Sequence, residues 1–227
     1  SSLTFLKGAT QTLTDSTTAP GQALGRTGIS SNTTNTTLNL ASKAQMESLL
    51  INTSQVFSLN GSNTLTLGNT APLSISGTFT PSTGTVNYEN TTAGSVAATT
   101  YYNLGFGTIS DSGAAATYTL LGNVIVQSVL TIGNASSTNS DILNASSRTL
   151  TLSGSGTPLV ITSKGTFTAS TSTVIYNSTS ATNITATTYN ALSLLPASGS
   201  PTYTLGTAGS QTIRADGTFT MGDGTNA

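Results

Sequence analysis

The sequence predicts an all-β chain coiled as a β-solenoid, and three observations carry that expectation. Apolar residues alternate with Thr and Ser in short runs such as "TLTL", "YTLL", "LVIT" and "TVIY". That period of two belongs to half-buried strands. Gly, Asn and Ser break the runs at close intervals, which suits tight corners. The chain also repeats itself: "TFTPSTGTVNY" (Thr78–Tyr88) returns 88 residues later as "TFTASTSTVIY" (Thr166–Tyr176). A unit with unpaired apolar strand faces needs a neighbour, and copies of it stack. Two tandem β-sandwiches are the alternative architecture. The bend in "NVIVQSVLTIG", with almost no loop between its two strands, favours a coil corner.

Composition narrows the field. Of 227 residues, 81 are Ser or Thr and only 6% are charged, against about 25% in an ordinary domain. Net charge is −1, and the six Lys and Arg are dispersed. Nucleic acid and anionic membranes need clustered cations, so neither is expected as a partner. No stretch of 18 apolar residues is present to span a membrane. Cys and His are absent, which rules out a disulfide scaffold. A chain this uncharged and hydroxyl-rich fits an extracellular or cell-surface location. Its start at Ser1, without Met, reads as a processed leader or a fragment.

In chain order, residues 1–54 form an N-terminal region. "SSLTFLKGATQTLT" reads as an isolated strand, a candidate donor to another copy through Leu3, Phe5 and Leu13. A polar turn-rich stretch follows. Then "ASKAQMESLLI" (Ala41–Ile51) predicts one short helix, with Ser42 and Gln45 as a capping box and Lys43 and Glu47 four apart.

Residues 55–165 form the first β-repeat region, and 166–227 a second, incomplete repeat. "TTYYNLGF" (Thr99–Phe106) matches "TTYNALSL" (Thr187–Leu194), and "ATYTLLGN" (Ala116–Asn123) matches "PTYTLGTA" (Pro201–Ala208). "VLTIGN" (Val129–Asn134) matches "TFTMGD" (Thr218–Asp223), and "NTLTLGNTAPLSISG" (Asn63–Gly77) matches "RTLTLSGSGTPLVITSKG" (Arg148–Gly165). Tyr88, Tyr101 and Tyr118 pair with Tyr176, Tyr189 and Tyr203, and matched rings are expected to stack at equivalent places in successive units. The second repeat lacks the "TLTLSG…PLVIT" block, so the chain ends where a block of its own type would continue it.

The motifs "TFTASTSTVIY", "TTYNALSL", "PTYTLG" and "TFTMGDG" resemble the β-strand repeat units of large secreted bacterial surface proteins, S-layer-like and adhesin-like, over Gln55 to Ala227. The resemblance implies a structural, surface role and carries no catalytic residues.

The chemistry-bearing residues point the same way. Without His or Cys, the common general base and the thiolate nucleophile are missing, so no enzyme activity and no cofactor are expected. Seven carboxylates remain: Asp15, Glu47, Glu89, Asp111, Asp141, Asp216 and Asp223. No spacing pairs two of them as a glycosidase requires. Asp216, Asp223 and Asn226 sit among glycines and are a weak calcium candidate, without the repeat of a calcium solenoid. Nine N-x-Ser/Thr triplets, at Asn32, Asn35, Asn52, Asn60, Asn90, Asn134, Asn144, Asn177 and Asn183, are glycosylation candidates. Lys7, Lys43 and Lys164 are the only lysines, too few to suggest a system of Lys–Asn cross-links. Together these observations predict a subunit of an extracellular filament, a homopolymer joined head to tail by β-strand complementation. An S-layer or adhesin module that binds glycan or a surface protein is the alternative.

Overall fold

The computed structural model describes residues 2–6, 8–17, 23–30, 35–90, 93–108, 115–206 and 214–222. Among them are 28 short strands and no helix, and every strand pair is parallel. Parallel pairing throughout excludes the sandwich, whose neighbouring strands run antiparallel. The chain is a β-solenoid in which successive strands fall on three faces in turn.

The first face begins with Ser2–Phe5, Arg26–Ile29, Ser48–Ile51 and Leu73–Ile75. It continues through Ala93–Val96, Thr117–Leu120, Asp141–Asn144 and Gly165–Thr168, then Thr188–Tyr189 and Arg214–Ala215. The second face starts with Thr10–Leu13, Thr37–Leu40, Val56–Ser58 and Thr78–Thr80. A six-strand sheet from Thr100–Tyr101 to Phe219–Met221 extends it, joined by the Phe79 and Tyr101 rings at 6.0 Å. The third face is the six-strand sheet from Ala44–Met46 to Leu159–Ile161. Thr182–Ile184 and Tyr203–Leu205 carry it on, through the Gly156–Thr182 bridge.

Alternation within each strand sends one side chain in and the next out. The inward set forms one continuous core along the axis, from Ile29 and Leu38 to Leu192 and Leu194. Registered partners form columns. Leu38 sits over Phe57, Phe57 over Phe79, Val126 over Leu152, Leu152 over Tyr176, and Tyr176 over Leu194.

The predicted helix at Ala41–Ile51 is not formed. Ala44–Met46 and Ser48–Ile51 are strands on adjacent faces, with Ala44, Met46, Leu49 and Ile51 buried and Leu50 pointing out. Ladders on both sides outweigh the local helix propensity. Glu47 pairs across coils with Arg26 at 3.2 Å rather than with Lys43. The Ser42 hydroxyl accepts from the Asp15 amide at 2.6 Å, and Gln45 pairs in the ladder with Thr66. Residues before Gln55 therefore belong to the same coil stack as those after it.

The two repeats reproduce one another in pairing detail. Thr85–Tyr88 pairs with Asn103–Phe106, and Thr173–Tyr176 pairs with Ala191–Leu194; both coils span 18 residues, in the same register. Ser82 and Ser170, at the same corner in each repeat, both adopt the left-handed region, with φ of 48° and 51°. Tyr88 and Tyr101 share a hydroxyl–hydroxyl hydrogen bond of 2.8 Å, and Tyr176 and Tyr189 one of 2.9 Å. In both repeats the second Tyr donates onward to a backbone carbonyl four residues earlier, Ala97 at 3.0 Å and Thr185 at 2.7 Å. These phenols fill the shortest coils and satisfy one another in the dry interior.

Equivalent tyrosines do not lie over one another between repeats, however. From Thr78–Thr80 to Leu159–Ile161 the repeat holds 11 strands, and 11 is not a multiple of three. The second copy is consequently turned by one face. Thr85–Tyr88 lies on the third face and Thr173–Tyr176 on the second. The expected stacking of matched rings thus gives way to stacking inside each repeat, as in Tyr88 against Phe106 at 5.6 Å.

Burial pushes the Tyr88 phenol up to about 12 and the Tyr101 phenol well above its ordinary value, and raises those of Tyr176 and Tyr189. Below the unfolded value near 10 both states are protonated, so these groups leave stability unchanged there. Above it the unfolded chain ionises first and draws the equilibrium toward unfolding, by about 1.4 kcal/mol per pH unit for each such Tyr. Stability is therefore expected to fall steeply from about pH 10 upward, with phenolate absorbance appearing together with loss of β-sheet circular dichroism. A second expectation concerns Ser172, which replaces Gly84 in the second repeat. Its hydroxyl is buried without a partner. Ser172→Ala is expected to raise stability by about 1 kcal/mol in denaturant titration.

Candidate functional site: the open ends of the coil stack

A coil in the middle of the stack has its inward side chains covered from above and below. Among the described residues, the outermost coils are covered on one side only. At the C-terminal end the edge strands are Tyr203–Leu205, Arg214–Ala215 and Phe219–Met221. Leu205 lies over Ile184, Phe219 over Leu192 and Met221 over Leu194. The lower members are 0%, 0% and 2% exposed, whereas the upper members are 60%, 48% and 68% exposed. Both members of each pair are large and apolar, and among the described residues no further strand lies over the upper ones. Leu194, Pro196, Pro201, Tyr203 and Met221 line an apolar depression at this end.

The N-terminal end mirrors it. Ser2–Phe5 pairs on one side with Arg26–Ile29, and Thr10–Leu13 with Thr37–Leu40. Leu3, Phe5 and Leu13, read from sequence as donor-strand residues, thus sit in the first coil of their own chain. Leu3 and Leu6 are exposed, while Phe5 and Leu13 are half-buried over Ile29 and Leu40. Parallel ladders leave N–H and C=O groups along an edge strand, a template for further pairing. Each end therefore combines a row of edge main-chain groups with an apolar floor.

Other candidates are scattered. Among the sequons, Asn35 and Asn60 are exposed, and Asn52, Asn90, Asn134, Asn144, Asn177 and Asn183 are half-buried; Asn32 lies outside the described residues. The side-chain amide that would carry sugar is engaged in Asn134, which donates to the Thr108 carbonyl at 3.1 Å, and in Asn183, which donates to the Thr157 hydroxyl at 3.1 Å. Asn144 accepts from the Ser170 hydroxyl at 2.9 Å, an inter-coil contact. Among the described sequons, Asn35 and Asn60 are the exposed ones.

Asp216 is exposed on the bend after Arg214–Ala215, and its amide donates to the Tyr189 carbonyl at 2.9 Å. Asp223 and Asn226, its proposed calcium partners, lie outside the described residues, as does Asp111. Among the described residues no three His, Cys, Asp or Glu gather into a cluster that could hold a metal. Glu89 accepts from the Thr108 amide at 2.7 Å, and Asp141 from the Ala116 amide at 3.3 Å. Burial raises the Tyr118 phenol well above its ordinary value, and the Asp141 and Glu89 charges add to the effect. These carboxylates anchor corner backbone. Lys43 donates to the Thr17 carbonyl, and Lys164 to the Thr138 carbonyl at 3.4 Å; Lys7 is outside the described residues.

Leu205, Phe219 and Met221 were not singled out by sequence reasoning. The available signal was their phase: each continues a core column past the last coil that covers it. Comparison of the chain with protein-family models, with curated proteins and with solved structures returns no match.

The asymmetry has a measurable consequence in the isolated chain. Leu192→Ala is expected to cost about 2–5 kcal/mol, as for a core truncation. Phe219→Ala, one coil further on, is expected to cost less than about 1 kcal/mol, because its ring is already half in water. Paired denaturant titrations of dilute protein check the difference.

Proposed function

We propose that the chain is a structural subunit of an extracellular filament, which polymerises head to tail by adding the first coil of one copy to the last coil of another. The observation that carries this reading is the pair of open coil ends, each with edge strands and exposed apolar residues. The two ends are different surfaces. A contact between unlike surfaces does not close on itself and so propagates. Edge-to-edge pairing supplies main-chain hydrogen bonds, and the apolar floors supply burial. The near-absence of net charge, −1 over 227 residues, leaves little repulsion between copies. In this arrangement a whole coil edge is added, with Leu3, Phe5 and Leu13 delivered as part of a folded coil.

Electron microscopy of the untagged protein tests the proposal. Long unbranched fibres are expected from the wild-type chain, and dispersed particles from Met221→Asp, whose circular dichroism stays that of the wild type. Single rods from the wild-type protein at all concentrations would overturn the filament reading and turn attention to the surface module that binds glycan or another surface protein.

A further inference from the structure

Resting on the filament reading, a further inference concerns how the two ends fit. The first coil belongs to the same block type as a segment deeper in the chain. Ser2–Leu13, "SLTFLKGATQTL", aligns without a gap to Thr64–Ile75, "TLTLGNTAPLSI". Leu3, Thr4 and Ala9 are identical to Leu65, Thr66 and Ala71. Phe5 and Leu13 answer Leu67 and Ile75. The third occurrence is Thr149–Ile161, where Thr149–Leu152 and Leu159–Ile161 are the two strands.

The faces occupied by these blocks follow a rule. The first block puts its strands on the first and second faces, the second on the third and first, and the third on the second and third. Each occurrence is turned back by one face. The fourth would return to the first and second faces.

The position of that fourth occurrence follows from the repeat. From Thr64–Leu67 to Thr149–Leu152 is one repeat of 11 strands. Counting the same interval onward from Thr149–Leu152 reaches the second strand position after Phe219–Met221. That position is on the first face, directly over Arg214–Ala215. The strand after it falls on the second face, directly over Phe219–Met221. Ser2–Phe5 and Thr10–Leu13 occupy those same two faces in that same order.

We infer that a second copy of the chain docks on the C-terminal coil with its faces in register, its Ser2–Phe5 over Arg214–Ala215 and its Thr10–Leu13 over Phe219–Met221. The residue pairs follow from the first repeat. There Thr151 and Leu152 pair with Ile125 and Val126, whose counterparts are Arg214 and Ala215. Leu159 and Ile161 pair with Leu130 and Ile132, whose counterparts are Phe219 and Met221. Thr4 and Phe5 of the incoming copy therefore pair with Arg214 and Ala215, and Gln11, Thr12 and Leu13 with Phe219, Thr220 and Met221. Leu13 then covers Met221, the most exposed large apolar side chain among the described residues.

The chain has no cysteine, so introduced pairs report contacts cleanly. Adjacent parallel strands lie about 4.8 Å apart, within reach of a disulfide. Thr12 and Thr220 lie outside the core, at opposite ends of the stack, so a bond between them must join two molecules. In fibres of the full chain carrying Thr12→Cys and Thr220→Cys, oxidation is expected to yield a ladder of covalent multimers under denaturing conditions. Fibres carrying Thr4→Cys and Thr220→Cys, which probe a stack turned by one face, are expected to yield monomer. Multimers from the second pair and none from the first would overturn the face register while leaving head-to-tail assembly standing. Fibres cross-linked by neither pair would also overturn the register. Absence of fibres from the wild-type chain would overturn the filament reading itself, and the register with it.

Discussion

The structure depends on parallel hydrogen bonding between one coil and the next. Strands of two to four residues are too short to stand alone, and among the described residues no strand has a partner within its own coil. Each is held by the coil before and the coil after. The apolar side chains obey the same constraint, since an inward Leu is dry only when another coil sits on it. Stability is then a sum of neighbouring interfaces, as in other one-dimensional arrays. Among the described residues, the first and last coils have half of what the inner ones have. The properties of the two ends, from the exposure of Met221 to that of Leu3, follow from this arithmetic.

The interior shows how such a stack tolerates coils of different length. Coils run from 18 residues, between Thr85 and Asn103, to 29 residues, between Leu130 and Leu159. The excess is accommodated at corners. The shortest coils draw the chain in, and there the phenol pairs occupy the space and close their own hydrogen bonds. Five fully buried tyrosines are a large polar load for one core, and they are tolerable because each hydroxyl has a partner. Ser172 differs from them, a small buried hydroxyl without a partner, as is that of Thr27.

Much of this was legible in the sequence. Alternation in "TVIY" and "LVIT" marked strands, and the return of "TFT…TVxY" marked the repeat. Ala41–Ile51 was misread for an identifiable reason. Its buried residues are Ala44, Met46, Leu49 and Ile51, and the corner at Glu47 stretches one step of two into a step of three. The spacing then imitates one side of a helix, and Ala, Lys, Gln and Glu reinforce the imitation. The rotation of one repeat against the other was not legible. It depends on strands per turn, and the residue count of a coil does not disclose that number. The end residues were missed because an inward leucine under a coil and an exposed one look alike in sequence, and only the structure shows which strands lie over them.

The mismatch between 11 strands and three faces also governs what a partner alongside the rod would meet. Leu121 and Ile125 are exposed on the flank of the first repeat. One repeat later the corresponding positions hold Gly206 and Arg214, and they have moved back by one face. No greasy stripe can run straight down such a rod. Any recurring flank feature winds round it like the thread of a screw and comes back to its starting side only after three repeats. Two rods laid side by side would meet at isolated points, so this screw geometry disfavours zipping along the flanks.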